Sequence, residues 1–538
     1  MSLKKSRLVW LVLFLLTLTL GWANRQGSAQ TSTQGAIAGT TADASGGVVP
    51  AAKLTIHNDA TGFTLELVSD SSGFFKAPLL EPGTYSVTAT ASGFATFRAS
   101  TVTVQVGQVT EISPVFSVAS SSATVEVADQ VPVINSDSPD FTDTLNLRAL
   151  QSIPINNRRW SSLAMTTPGV VSDSNGFGLV SVRGISTVLN NIEIDGADDN
   201  QAFFSEERGR TREAYSTSAS AVREFAVNTG VYSAEYGRAA GGVITSVTKS
   251  GTNQIHGQAY FWDRESNWAA FNDYAAESFL NPATNTYKSE PIKPEDLRKI
   301  YGFTVGGALI KNKLFWIYTY DQHTHVFPGT AVPENANAFY SLPTPSANFP
   351  AGVTADQCSL TTGYFSATKT DPNYTLDSQA CTLAARQHAT SYDTGVTDYD
   401  NGIAGLVSDI GTVPRFGYQE INTPKLDWQI SDKEHVSFLY HRLRWDSPGG
   451  VQTSSTADYG RDTWGNDFVK LDYGVTKLTS LITSSISNEL LYQYGRELND
   501  EGQQPFTPYT QANLQGTGAS AGNVPEVEVD TEIGRAHV

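Results

Sequence analysis

The sequence predicts a mainly β protein in three parts: a small Ig-like β-sandwich, then an α+β domain, then the first strands of an incomplete transmembrane antiparallel β-barrel. Three observations lead to this fold class. The 538 residues include 45 Gly and 10% aromatic side chains, a balance that favours β structure in more than one domain. Short alternating segments fill the first region, and aromatic segments of barrel-strand length recur in the second half.

The charge balance excludes one class of partner. Charged residues make up 17% of the chain, and the formal net charge is −18. Contacts to phosphate need clustered Lys and Arg, which the sequence lacks, so nucleic acid is excluded. No nucleophile elbow, Walker loop or zinc-binding helix motif occurs either. We therefore predict no enzymatic activity and no catalytic, cofactor-binding or metal residues.

Residues 1–29 have the order of a secretory signal peptide. Three cations within the first seven residues precede an apolar run from Leu8 to Leu20, and a polar stretch ending in small residues follows. We expect cleavage after Ala29, with Ala23 as the second choice. The apolar run is too short to span a bilayer comfortably, and no later run is longer, so a membrane role would fall to β-strands.

Residues 30–119 contain short strands separated by turn residues: KLTIHN, FTLELVS, TYSVTATA, TVTVQV and VTEISPVF. Such spacing is typical of a small β-sandwich. The region resembles the carboxypeptidase regulatory-like domain, whose recurring features match the turn Asp70–Gly73, the Leu80, Pro82, Gly83 and Tyr85 turn, and Gly93-Phe94. The resemblance implies a noncatalytic module in which Pro82-Gly83 makes a turn and Tyr85 faces the core.

Residues 120–130 form a linker that opens with a Ser-rich joint and contains the extended segment Thr124–Val127. A short strand after a linker can extend the sheet of another protein. The segment resembles the TonB box of TonB-dependent receptors, which implies that Val125, Glu126 and Val127 contact the periplasmic protein TonB. An ordinary linker strand is the alternative.

Residues 131–250 carry, in order, IPINNRRWSSLAMTTPGVV, VSVRGISTVLNNIEIDGADDN and AVREFAVNTGVYSAEYGRAAGGVITSVTKSGTN. They resemble the α+β plug domain of TonB-dependent receptors, in particular the Oar-like group with an N-terminal carboxypeptidase regulatory-like domain. The resemblance implies three motifs: Val182-Arg183-Gly184 opens a strand, Ile194-Asp195-Gly196 ends one, and Glu235, Tyr236, Gly237 and Arg238 lead through Gly241 and Gly242 to the last plug strand.

A plug needs a small core of its own while the barrel lumen wets its surface. We expect that core to include Val222, Phe225, Val227, Val231, Val243, Ile244 and Val247. Arg183, Glu235 and Arg238 can pair with charges on the barrel wall. The alternative is that these groups are exposed and contribute little energy.

Residues 251–531 contain seven aromatic segments of barrel-strand length: 255–264, 299–309, 313–323, 421–430, 434–445, 464–475 and 487–498. The connections between them alternate long and short, beginning with a long one. Outer-membrane barrels have short periplasmic turns and longer outer loops, so a barrel that follows a periplasmic plug shows this alternation.

Side-chain facing supports the barrel in part. The fourth segment alternates apolar residues from Pro424 to Ile430 with Lys425, Asp427 and Gln429, as expected for an apolar outside and a polar inside. The third segment is ambiguous. Aromatic girdles would explain Trp262, Trp316, Trp428, Trp445 and Trp464 near strand ends, and burial in an ordinary β core is the alternative.

Two groups of side chains contain metal-ligand types, but we expect neither to hold a metal ion. His323 and His325 lie two residues apart near a strand end and could share a face, but two ligands without a third favour unliganded histidines. The carboxylates of Asp195, Asp198 and Asp199 could bind a cation through oxygen, but a solvated turn is the favoured interpretation.

The two cysteines, Cys358 and Cys381, lie in a polar stretch that we interpret as a long loop. An exported chain meets an oxidising compartment, so we expect a disulfide that stabilises this loop by about 3 kcal/mol. Two unpaired thiols are the alternative.

Plugged transporters close their barrels with about 22 strands, and seven are predicted here. Residues 532–538, EIGRAHV, look like a translated sequencing adapter. We expect the natural protein to continue past about residue 531, and we expect the chain as written to transport nothing. The resemblance implies import of an oligosaccharide, peptide or metal chelate across the lipid of a Gram-negative outer membrane, energised by TonB. A structural or adhesive surface protein is the alternative.

Overall fold

The computed structural model describes residues 33–118, 124–127, 142–153, 158–172, 179–202, 207–209, 215–232, 236–271, 276–281, 286–368, 370–451, 456–457, 460–483 and 486–515. The expected signal peptide and the segment EIGRAHV lie outside these residues. Within them, no helix combines the length and the apolar character needed to cross a membrane.

The first unit is a β-sandwich, which we call the sandwich (residues 33–118). Its two main sheets have the strand orders β5-β1-β8 and β7-β6-β3-β4, and β2 pairs with β9. Alternating strands send Leu54, Ile56 and Val87 into one apolar core, and Tyr85 lies in that core as predicted. The strands are β1 (Gly35–Thr40), β2 (Ala42–Asp43), β3 (Lys53–His57), β4 (Thr64–Val68), β5 (Phe74–Leu80), β6 (Gly83–Thr90), β7 (Thr96–Val104), β8 (Val109–Glu111) and β9 (Val115–Phe116).

A tenth strand, β10 (Thr124–Val127), follows the sandwich and extends its larger sheet. It pairs in parallel with β7 at Thr96–Ala99 and therefore forms the sheet edge.

The second unit, the plug domain, is a five-stranded mixed sheet with the order β11-β16-β17-β14-β15, beside a two-stranded ribbon of β12 and β13. Its core contains Val222, Phe225, Val227 and Ile244, as predicted. Val231 was wrongly assigned to the core, because its side chain is 57% exposed beyond the end of β16. The elements are β11 (Thr142–Asn146), α1 (Leu147–Ser152), β12 (Val170–Ser172), β13 (Val180–Val182), β14 (Asn191–Ile194), β15 (Ala197–Asp198), β16 (Val222–Asn228) and β17 (Val243–Thr248).

The third unit is a seven-stranded antiparallel sheet, the barrel sheet, in which each strand pairs with the next in chain order. All seven predicted segments are strands in the structure. They are β18 (His256–Glu265), β21 (Leu297–Ile310), β22 (Leu314–Val326), β25 (Phe416–Ser431), β26 (Glu434–Ser447), β28 (Asn466–Thr483) and β29 (Ile486–Gly502). The first and last of these strands do not pair with each other within the described residues.

The connections of the barrel sheet alternate long and short, as predicted. The short ones lie at residues 311–313, 432–433 and 484–485, and the long ones at 266–296, 327–415 and 448–465. The last short connection was predicted at 476–486, which is too long, because strand β28 continues to Thr483. The long connections hold β19 (Ala276–Asn281), β20 (Thr286–Pro291), β23 (Gly329–Ala331), α2 (Ala336–Phe339), α3 (Tyr374–Arg386), α4 (Tyr392–Val407), β24 (Gly411–Val413) and β27 (Thr456–Ala457).

The two faces of the barrel sheet differ in polarity. The inner face lies against the plug domain and buries Lys425 and Asp427, whereas Leu426 and Trp428 on the outer face are about half exposed. This is the facing expected from the fourth segment.

Three of the five tryptophans contradict the girdle interpretation. Trp445 and Trp464 are fully buried, and the guanidinium of Arg158 in the plug domain lies 4.3 Å from the ring centre of Trp262. The Trp445 indole donates to Asp467 of the neighbouring strand at 2.8 Å, which explains how an inward indole is satisfied.

Candidate functional site between the plug domain and the inner barrel wall

A buried ion pair joins the plug domain to the barrel sheet. Lys425 Nζ lies 3.4 Å from Asp195 Oδ2, and each side chain is at most 7% exposed. Asp195 occupies the left-handed turn after β14, with φ of 49°. Its two oxygens also accept from the backbone N–H and the hydroxyl of Thr248, at 2.8 and 2.6 Å. The carboxylate is therefore fully engaged, which a buried charge requires.

A second contact is built from hydroxyl groups around Asp321 on the inner face of β22. Asp321 accepts hydrogen bonds from Tyr215 at 2.5 Å, from Ser218 at 2.8 Å and from Tyr260. Burial, followed by the nearby charge of Asp321, raises the pKa of the Tyr215 hydroxyl, so it remains a donor. Gln419 adds a bond from its side-chain N–H to the Tyr215 carbonyl, at 2.6 Å.

Sequence reasoning missed this hydroxyl contact. The available signal was the polar row at every second residue of β22, namely Thr319, Asp321, His323 and His325. In a strand, such a row shares one face, so the facing that seemed ambiguous from the aromatic residues could have been assigned from the polar ones.

The two histidines of β22 are buried and already have other contacts. His325 Nε2 lies 2.9 Å from Asp296 Oδ1 and 3.2 Å from Arg298 Nη2. The His323 ring lies parallel to the Trp445 ring, with centres 6.4 Å apart. A guanidinium beside the imidazole repels a cation, so this arrangement does not favour a metal ion.

The acidic cluster Asp195, Asp198 and Asp199 does not converge on one point. Asp195 is bound to Lys425, and Asp198 pairs with Arg238 at 3.2 Å. Asp199 is buried, and burial followed by the charge of Glu207 raises its pKa. The described residues contain no group of three or more potential metal-ligating side chains.

The predicted plug motifs have mixed outcomes. The strand before Asp195 and Gly196 ends at Ile194, as predicted. Arg183 and Gly184 do not open a strand: β13 ends at Val182, and both residues have positive φ in the turn that follows.

The last plug motif leads to β17 as predicted. Arg238 pairs within the plug domain with Asp198, both partly exposed, rather than supplying the wall contact found at Asp195. Tyr236 and Gly237 precede the close approach at Gly242, where a Cβ atom would lie 2.9 Å from a methyl group of Val182. Glu235 lies outside the described residues.

The predicted loop around the cysteines is a folded unit, which we call the outer subdomain (residues 327–415). It contains α3 and α4, so the expectation of a long loop was wrong. The sulfurs of Cys358 and Cys381 are bonded. They lie in a small core with Phe365 and Tyr392.

Comparison with known proteins matches each unit to a family. Residues 36–117 match the Carboxypeptidase regulatory-like domain, residues 134–243 the TonB-dependent Receptor Plug Domain, and residues 247–536 the Outer membrane beta barrel domain. The last match alone covers more than half of the chain.

Individual relatives are more distant. The TonB-dependent transporter Oar of Myxococcus xanthus is 25% identical over 337 residues, which cover 58% of this chain and 29% of that protein. The chain thus spans about a third of the length of this relative. The transporter YddB of Escherichia coli is 13% identical, with a TM-score of 0.39 over 66% of this chain and 38% of that chain. The siderophore receptor PirA of Pseudomonas aeruginosa is 13% identical, with a TM-score of 0.36. The match covers 68% of this chain and 42% of that chain.

The plug match, the barrel match and the Oar relative agree with the order of units described above. The chain belongs to the TonB-dependent receptors of the Gram-negative outer membrane.

Proposed function

We propose that the complete protein imports a substrate across the outer membrane, using energy that TonB delivers, and that it is not an enzyme. The observation that carries this proposal is the set of buried polar contacts between the plug domain and the inner wall, which lie beside an apolar cluster containing Ile194 and Ala197. The Lys425 and Asp195 charges, and the hydroxyls around Asp321, can exchange their partners for water when the plug moves.

Strand β10 supports the proposed contact with TonB through Val125, Glu126 and Val127. One edge of β10 pairs with β7, and no strand among the described residues pairs with its other edge. An unpaired edge offers backbone N–H and C=O groups to an incoming strand, which is the β-augmentation mode of binding. TonB can therefore be recruited without first separating β10 from the sandwich.

The substrate class is part of the proposal: an oligosaccharide, a peptide or a metal chelate. The outer subdomain lies in a long connection, on the side where outer-membrane barrels present their loops to the exterior. Its disulfide fixes α3 against the segment before it, so a recognition surface there would be largely preformed.

The experiment removes residues 123–128 from the complete protein. Binding of the purified periplasmic domain of TonB is measured by calorimetry, and cells are tested for uptake of labelled maltodextrins, pentapeptides and ferric catecholates. We expect TonB binding at least tenfold weaker and loss of uptake of the substrate that the unaltered protein imports. Unchanged TonB binding would contradict the role of this segment, and loss of cell adhesion instead of uptake would favour an adhesive protein.

Two finer variants separate backbone pairing from side-chain contact. The double substitution Val125→Pro and Val127→Pro removes backbone donors and should weaken TonB binding as the deletion does. The matched control, Thr124→Ala in the same strand, keeps every backbone N–H and should bind TonB within about threefold of the unaltered protein.

A further inference from the structure

The sandwich contacts the rim of the barrel sheet that carries the short turns. The backbone N–H of Asn253 donates to the carbonyl of Ala60 at 2.9 Å. Lys477 Nζ donates to Thr33 Oγ1 at 2.9 Å, and the Leu481 side chain near the end of β28 packs into the sandwich core. In this family the short turns are periplasmic, so the sandwich lies on the periplasmic side.

The same sandwich also contacts the plug domain. The backbone N–H of Val106 donates to Glu224 Oε2 at 3.2 Å, and Gln108 donates to the Thr144 hydroxyl at 3.1 Å. Val106 packs with Ala226 and Val247 of the plug sheet in a small apolar cluster. The sandwich therefore bridges the plug and the barrel rim.

A buried carboxylate of the sandwich lies within the electrostatic field of the barrel strands. Glu81, the first residue of the turn after β5, accepts a hydrogen bond from the side-chain N–H of Gln34 at 2.7 Å. Burial favours its neutral form, but the positive charges of Lys477 and Lys425, together with the nearby His435 side chain, lower the pKa of Glu81 to about 2. A carboxylate of the sandwich is thus held in the positive field of the barrel rim.

The junction is incompletely packed. A cavity of about 350 Å³ lies where the three units meet, lined by Glu81 of the sandwich, Arg223 of the plug and His435 of the rim, among others. Two further lining groups, Asp427 Oδ2 and Thr479 Oγ1, are buried without a hydrogen-bond partner among the described atoms. Buried unpaired polar atoms favour separation, because water would satisfy them.

We propose that the sandwich is a latch that holds the plug against the periplasmic rim at rest and must detach before the plug moves. This inference rests on the proposed import function. Strand β10 links the two, because its pairing with β7 transmits a pull on the TonB-contact segment to the sandwich first. The pulling force reaches the plug domain only after the sandwich has detached from the rim.

The experiment compares a locked latch with a weakened one in the purified complete protein. The lock is a disulfide introduced by Ala60→Cys and Asn253→Cys, two residues that a backbone hydrogen bond joins between the sandwich and the rim. The weakened latch is Glu81→Gln. The frequency of channel openings is recorded as potassium chloride current across planar bilayers in the presence of urea, without TonB and without substrate.

We expect about tenfold fewer openings with the lock, reversed by reductant, and about tenfold more with Glu81→Gln. Equal opening frequencies in the locked, weakened and unaltered proteins would overturn the latch. Because the two variants act in opposite directions, loss of folding cannot imitate both results.

Matched controls stay within the sandwich. Glu66→Gln removes a carboxylate whose partner, Lys53, is exposed, and Thr55→Cys with Glu66→Cys joins two facing strands without crossing the rim. Both should leave the openings unchanged. The channel recordings contain no TonB, so a negative result in them contradicts the latch but not the proposed TonB contact. A negative result in the TonB binding assay contradicts that contact but not the latch.

Discussion

The plug domain and the sandwich lie against the same barrel sheet, but the extent and the chemistry of their contacts differ. The plug meets the inner wall through buried charges and hydroxyls, as at Lys425 and Asp321, and through an apolar cluster that includes Ile194. Among the described residues, the sandwich meets the rim through the apolar side chain of Leu481 and a few exchangeable polar contacts. The difference indicates that buried polar pairs, each costly to leave unpaired, fix the position of the plug, whereas the sandwich is held by fewer contacts that can be released first.

The largest expected effect breaks the plug side of this comparison. Lys425→Met leaves the Asp195 carboxylate buried without its cation, which should lower the stability of the plug contact by about 3–5 kcal/mol. Hydrogen exchange at the Thr248 amide, which donates to Asp195, measures the loss. Adding Asp195→Asn to Lys425→Met removes the unpaired charge and should restore most of the lost stability.

The control for that prediction is Arg238→Gln, which removes the cation from the partly exposed pair with Asp198. Exposed pairs contribute less than about 1 kcal/mol. If Lys425→Met costs no more than Arg238→Gln, the buried pair does not specify the position of the plug, and the comparison fails.

The second prediction concerns the junction between sandwich and plug. Burial raises the pKa of Glu224 to about 7, against about 4.5 in the unfolded chain. Between these pH values the docked protein retains a proton that the exposed carboxyl releases, so docking weakens as pH rises through this window, by about 3 kcal/mol in total. Exchange at the Val106 amide, corrected for its intrinsic pH dependence, should follow this curve.

Glu224→Gln should remove the pH dependence and keep the sandwich docked at pH 8, because the amide cannot ionise. The control Glu66→Gln, at an exposed position of the sandwich, should keep the slope of the unaltered protein. An identical slope in Glu224→Gln and the unaltered protein would show that another group governs docking.

The features that could be predicted from sequence are those set by local pattern. The alternation of Lys425, Leu426, Asp427 and Trp428 fixes the facing of β25 without knowledge of the partner strand. Strand β1, the sequence GAIAGT, was missed because Gly and Ala carry little β propensity, although the strand is buried between β5 and β8.

The contacts of the site could not be predicted, because they join residues far apart in sequence. Asp321 accepts a hydrogen bond from Tyr215, which lies 106 residues away in sequence, and Lys425 donates one to Thr248, which lies 177 residues away. Neither pairing therefore leaves a local pattern in the sequence. Burial of Trp445 depends in the same way on the neighbouring strand, whose Asp467 accepts from its indole. A single sequence therefore predicts which polar residues share one face of a strand, but not the residues with which they pair.

The smallest expected effect tests the apolar side of the sandwich contact. Leu481→Ala removes a buried side chain that packs into the sandwich from the rim, and the cavity should cost about 2 kcal/mol. The amide of Asn253, which donates to Ala60, should then exchange about 30-fold faster. Leu490→Ala is the matched control, since Leu490 lies on the next strand and is 61% exposed. Equal exchange in the two variants would mean that the Leu481 side chain contributes nothing to the contact and that polar groups alone hold the sandwich at the rim.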